Sequence, residues 1–118
     1  MQALKEYLSS EHDDAAARAE ALRRDARSDE SIFEKVRANM FEIFGTIAAV
    51  SEKQYADPAQ ARAFFLRKLR EIPSGWRKSA EAAGQHGDEE KKHMESVKLA
   101  AVAEIEAYLL KNWGGDAL

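Results

Sequence analysis

Residues 32–50 read IFEKVRANMFEIFGTIAAV, and this stretch decides the fold class. Apolar residues recur in it at spacings of three and four, which places them on one face of an α-helix. These residues are Phe33, Val36, Met40, Ile43, Ile47 and Val50. Four more apolar residues widen that face: Ile32, Phe41, Phe44 and Ala48. The stretch therefore predicts a long helix with a broad apolar surface.

The composition extends this prediction to the whole chain. Of the 118 residues, 45% are hydrophobic, 33% are charged and only two are proline. Ala, Glu, Lys, Arg and Leu are abundant, and these residues lose little conformational freedom in a helix. A chain of this length is large enough to fold around one core. We therefore expect an all-α protein with a single helical-bundle domain over residues 1–118.

Capping and turn residues divide the chain into helices. Asp57-Pro58 and Gly87-Asp88 are typical helix starts, and either Ser28 or Asp29 is suited to cap another. Pro73-Ser74-Gly75 is a typical helix end. The resulting prediction is a mainly antiparallel bundle of three long helices plus a short helix-turn-helix insert. We expect helices over about residues 2–26, 28–53, 58–72, 76–83 and 88–113.

Gly45 lies inside the second predicted helix, where glycine costs about 1 kcal/mol relative to alanine. We interpret it as a place where another backbone crosses closely, with a helix kink as the alternative.

The second helix is apolar on more than one side, whereas the inward positions of the first helix are small residues such as Ala15 and Ala19. We therefore expect that one chain does not cover the whole apolar surface, which predicts a homodimer. The candidate dimer interface consists of Ile32, Phe41 and Phe44. The alternative is a monomer whose short insert folds over that surface.

The segment from residue 57 to residue 80 is basic in an otherwise acidic chain. It has six basic and two acidic residues, while the whole chain has a formal charge of −3. The candidate anion-binding residues are Arg62, Arg67, Arg70, Arg77 and Lys78. They suit phosphate binding, but basic side chains also solvate helix surfaces or pair with acidic ones. Sequence-specific DNA recognition is disfavoured because the helix after the predicted turn is very short.

Metal binding and catalysis have little support. Glu90 and His93 form one Glu-x-x-His pair, whereas di-metal bundles need two such pairs and further glutamates. His12, His86 and His93 match no compact zinc motif. The chain has no cysteine, and we find no Gly-x-Ser-x-Gly or phosphate-binding glycine loop. We therefore expect no metal and no cofactor, and an enzyme is disfavoured. A metal-dependent enzyme that uses Glu90 and His93 is the third alternative.

These observations favour a protein-interaction or scaffolding module that acts as a homodimer. The alternative is an anion- or nucleic-acid-binding module that uses residues 62–78. The net charge of −3 gives no reason to expect nucleic acid as the partner of the whole chain. We expect a cytoplasmic protein with no membrane association, because the N-terminus lacks a signal-like apolar run and no apolar run is longer than five residues, far short of a membrane span.

Overall fold

The computed structural model describes residues 1–114 and is all-α, as predicted. It has four helices, which are α1 (Gln2–Arg24), α2 (Ser28–Gln54), α3 (Pro58–Gln85) and α4 (Glu89–Trp113). No strand occurs in this range. The chain divides into two compact units, Met1–Lys68 and Leu69–Leu118. The single domain over residues 1–118 stays a prediction.

The predicted helix-turn-helix insert is wrong, because α3 runs without interruption through Pro73. Proline at this position has no N–H to donate to the carbonyl of residue 69, and its ring crowds that carbonyl. The helix continues nevertheless, with Pro73 fully buried and the Ser74 hydroxyl donating to the Glu71 carbonyl at 2.8 Å. Burial of the proline ring offsets part of this cost in helix stability. A rule based only on the residues next to proline in the sequence does not include that burial.

In the first unit, α1 and α2 form an antiparallel hairpin. Three ion pairs join them, Lys5–Glu52 at 2.6 Å, Glu11–Arg37 at 3.3 Å and Arg18–Glu34 at 3.4 Å. Partly exposed pairs of this kind contribute little stability, at most about 1 kcal/mol each. Their main consequence is to favour one register of the hairpin, since α1 positions pair with α2 positions in reverse order.

The turn between α1 and α2 is longer than the sequence predicts, with three residues between the helices instead of one. α1 ends at Arg24 rather than near residue 26, and Ala26 is exposed with a left-handed φ of 59°. The predicted capping by Ser28 or Asp29 does not form, since Arg27 is the residue at the N-cap. Ser31 instead is buried, and its hydroxyl donates to the Ala19 carbonyl of α1 at 2.8 Å.

Aromatic side chains fill the core of the first unit. Tyr7 packs edge-on against Phe41, with ring centroids 6.4 Å apart, and Phe44 packs similarly against Phe65 at 6.3 Å. Such pairs add about 1 kcal/mol to the burial of their area. The buried face of α2 is therefore centred on Phe41, Phe44 and Ala48, the residues that merely widened the predicted stripe.

The predicted starts of α3 and α4 are confirmed. The Asp57 carboxylate accepts from the Ala59 amide at 3.1 Å, and the Asp88 carboxylate accepts from the Lys91 amide at 3.0 Å. In the second unit the end of α3 runs antiparallel to α4, since Trp76 lies beside Lys98 and Gly84 beside Lys92. The buried side chains of α4 include Ala101, Val102, Ile105 and Leu109.

Candidate interaction surface

The side of α2 that its own core leaves uncovered is an apolar line along the helix. We call it the outer face of α2 and define it by residues at alternating spacings of four and three. These residues are Ile32, Val36, Asn39, Ile43, Thr46 and Val50. Ile32 is 46% exposed and Val50 is 39% exposed, whereas Val36 and Ile43 are half-buried. Only one other large hydrophobic side chain among residues 1–114 is exposed, Leu110 of α4.

The candidate dimer interface falls into two parts. Phe41 and Phe44 are 0% exposed within the single chain, so the premise that the chain leaves them uncovered is wrong. Tyr7 and Phe65 cover them, which the alanine-rich appearance of α1 did not suggest. Ile32 is exposed and lies at one end of the outer face. Self-association itself stays a prediction.

Opposite charges stand beyond the two ends of the outer face. Asp29 lies three residues before Ile32, and Lys53 lies three residues after Val50. Both side chains are exposed, and neither forms an ion pair within residues 1–114. The face is therefore an apolar line with a carboxylate at one end and an ammonium group at the other.

The sequence shows that these residues form a line on one helix, but it does not show whether the core covers that line. Val36, Ile43 and Val50 belong to the predicted apolar face of the helix, whereas Asn39 and Lys53 are polar residues that this pattern does not include. A repeat of three and four identifies an apolar line on a helix. It does not state which neighbour, if any, covers that line.

The five candidate anion-binding residues are all exposed on α3. Arg62 and Arg67 belong to the first unit, and the Arg67 guanidinium lies 5.2 Å from the centroid of the Phe64 ring. Arg70, Arg77 and Lys78 belong to the second unit. Because α3 is continuous, these residues lie along one helix and not on two helices joined by a turn.

Glu95 is the one charged side chain that is buried in the second unit as far as Gly114, with 6% exposure. One carboxylate oxygen accepts from the Lys98 ammonium at 3.3 Å, and the other, Oε2, is buried without a hydrogen-bond partner. The same ammonium lies 5.6 Å from the Trp76 ring, within the range of a cation–π contact. An unpaired buried oxygen costs free energy, so Glu95 is a point of low stability.

The histidines and Glu90 do not gather into a site. Glu90 and His93 are exposed on α4, His86 is exposed after α3, and the His12 ring pairs with the Asp13 carboxylate at 3.0 Å. Across residues 1–114 no three His, Asp or Glu side chains lie close enough to hold a metal ion.

A shallow groove of about 370 Å³ runs between the first half of α1 and the second half of α2. Leu8 and Phe41 line it, together with Gly45. No atom lies within 4 Å of the position that a Cβ would take on Gly45. The interpretation of Gly45 as a close backbone crossing is therefore wrong.

Two carboxylates of the first unit, Glu20 and Glu52, have a lowered pKa. Hydrogen bonds from Arg23, and more weakly from Arg24, lower the pKa of Glu20 to about 2. The Lys5 ammonium lowers the pKa of Glu52 in the same way. Both carboxylates lie at the surface in ion pairs, which explains the shifts without any catalytic role.

Comparison of the chain with protein families, with curated proteins and with solved structures found no match. No helix within the described residues is long and apolar enough to cross a membrane.

Proposed function

We propose that the protein is an interaction or scaffolding module that acts as a homodimer and docks through the outer face of α2. One observation carries the proposal. Among residues 1–114, two of the three exposed large hydrophobic residues, Ile32 and Val50, lie on one line of α2 with Val36 and Ile43 between them. Aligned apolar side chains left in water favour association, because covering them removes apolar area from solvent. A cytoplasmic location belongs to the same proposal.

Sedimentation of the purified chain over a wide concentration range tests it. We expect the wild-type mass to rise from monomer to dimer with concentration. The Ile32→Lys/Val50→Lys variant should remain monomeric, since it places two charges on the outer face. Leu110→Lys is the matched control, because Leu110 is 50% exposed but lies on α4. Circular dichroism checks that each variant is folded.

Two outcomes oppose the proposal. A wild-type chain that stays monomeric at millimolar concentration would exclude the homodimer. Equal loss of dimer in Leu110→Lys would exclude the outer face of α2 as the docking surface.

A second candidate function is nonspecific anion binding by α3. All five predicted basic residues are exposed, and Arg77 and Lys78 form no ion pair in the described chain. An oligonucleotide of arbitrary sequence should then bind with an affinity that falls steeply as salt is added. Replacement of both Arg77 and Lys78 by Gln should weaken that binding, whereas Lys91→Gln/Lys92→Gln serves as a control on α4. Absence of binding at low salt would exclude this function.

A further inference from the structure

We propose that the outer face of α2 binds a second copy of this chain in the antiparallel orientation. The two-fold axis passes between the two outer faces, level with residue 41 along the helix. This inference rests on the proposed function, which makes that face the docking surface. It adds the geometry of the pair and the charges that determine it.

The outer face is symmetric about its own midpoint. When two copies of a helix pair antiparallel, residues equally distant from the midpoint on opposite sides face each other. Ile32 then meets Val50 of the partner subunit, Val36 meets the partner's Thr46, and Asn39 meets the partner's Ile43. The alternating spacing of four and three is the seam of an antiparallel coiled coil. The two most exposed apolar side chains of α2 therefore cover each other.

Charge complementarity favours this orientation over the parallel one. Asp29 and Lys53 each lie twelve residues from residue 41, on opposite sides of it. They continue the same spacing and are unpaired within residues 1–114. In the antiparallel pair each Asp29 meets the partner's Lys53, giving two ion pairs. A parallel pair would bring Asp29 to Asp29 and Lys53 to Lys53, and like charges in register repel.

Glu42 supplies an independent signature of the axis. It is exposed beside the outer face and only one residue from the midpoint, so the two copies of Glu42 approach each other near the axis. Their repulsion weakens the pair. Glu42→Gln should therefore strengthen dimerisation by a few-fold, an effect that an axis far from residue 41 does not produce.

Cysteine cross-linking tests the orientation in the full chain, which has no native cysteine. Ile32→Cys and Val50→Cys are prepared as separate proteins, each at an exposed position. Oxidation of a mixture should give a disulfide-linked heterodimer. Either protein alone should give none, because the two copies of one cysteine lie about 27 Å apart in the antiparallel pair. Self-linking of Ile32→Cys as fast as linking in the mixture would overturn the inference in favour of a parallel or random contact.

A charge exchange tests the ion pairs. Asp29→Lys alone and Lys53→Asp alone should each weaken dimerisation by about tenfold, since both ion pairs become repulsive contacts. The double variant should restore the wild-type affinity. Failure of the double variant to recover would overturn the assigned register.

The outcomes separate this inference from the proposed function. A monomeric wild-type chain contradicts the homodimer itself. A wild-type dimer that Ile32→Lys/Val50→Lys disrupts, but whose cysteine mixture does not cross-link, supports the docking surface and overturns only the antiparallel geometry.

Discussion

Replacement of Gly45 by alanine should stabilise the protein. Gly45 lies in the interior of α2 and is half-buried at the edge of the α1–α2 groove, where no atom lies within 4 Å of the added Cβ. Alanine gains about 1 kcal/mol of helix propensity over glycine, chiefly because glycine has more freedom to lose on folding. The new methyl group meets open space, so no steric penalty opposes this gain. We therefore expect the free energy of unfolding to rise by about 1 kcal/mol.

Two other glycines supply matched controls. Gly75 is interior to α3, and its Cβ position is also open, so Gly75→Ala should stabilise the protein by a similar amount. Gly87 has a φ of 74°, a left-handed conformation that costs an L-residue about 1 kcal/mol or more. Gly87→Ala should therefore destabilise the protein, although its Cβ position is equally open.

Urea unfolding followed by circular dichroism gives the three free energies. At about 4 °C per kcal/mol for a chain of this size, thermal scans should show shifts in the same directions. Samples are kept at a concentration low enough to avoid association. A loss of stability in Gly45→Ala would refute the reasoning, because it would mean that something occupies the space beside Gly45. Equal gains for Gly45→Ala and Gly87→Ala would show that helix propensity is not the cause.

Three further predictions concern α3, α4 and the end of α1. Glu95→Met should raise the free energy of unfolding by about 1 kcal/mol, because it removes a buried carboxylate with an unpaired oxygen and keeps the side-chain volume. Urea unfolding measures this change, and Glu90→Met, at an exposed position of the same helix, is the control that should change it little. Pro73→Ala should also stabilise the protein by about 1 kcal/mol. The gain in helix propensity is about 3 kcal/mol, whereas the loss of the buried ring costs about 1.6 kcal/mol. A destabilised variant in urea unfolding would mean that the packing of the Pro73 ring outweighs its helix penalty. Arg23→Ala should raise the pKa of Glu20 from about 2 toward 4.5, as measured by carboxyl NMR titration. Because the folded pKa of Glu20 is depressed, its ion pair stabilises the wild type above pH 4.5 and is lost as the pH falls toward 2, and a wild-type Glu20 that titrates at its ordinary value would contradict this.

Local rules predict the starts of α3 and α4, where the groups that determine the boundary are close in sequence, but not the capping at the start of α2. Asp57-Pro58 and Asp88 start helices because their carboxylates reach backbone amides two or three residues away. The prediction fails at Pro73, where the result depends on burial that only distant residues provide. The same distinction explains Ser31 in the first turn of α2, whose hydroxyl donates to a carbonyl twelve residues away in the sequence instead of capping its own helix.

The same dependence on distant residues applies to the outer face of α2. Periodicity locates apolar residues on a helix surface. Several neighbouring lines of α2 are apolar, however, and periodicity does not say which of them is the most buried. Burial depends on the side chains that other helices place against α2. Tyr7 of α1 packs against Phe41, and Phe65 of α3 packs against Phe44. Once those rings are covered, the line through Ile32, Val36, Ile43 and Val50 is the one left at the surface. Two large hydrophobic side chains of α2, Ile32 and Val50, stay 46% and 39% exposed after the chain has folded, so they contribute little to its own core and leave apolar area in water. This is why substitutions at Ile32 and Val50 should change association far more than they change the stability of the monomer.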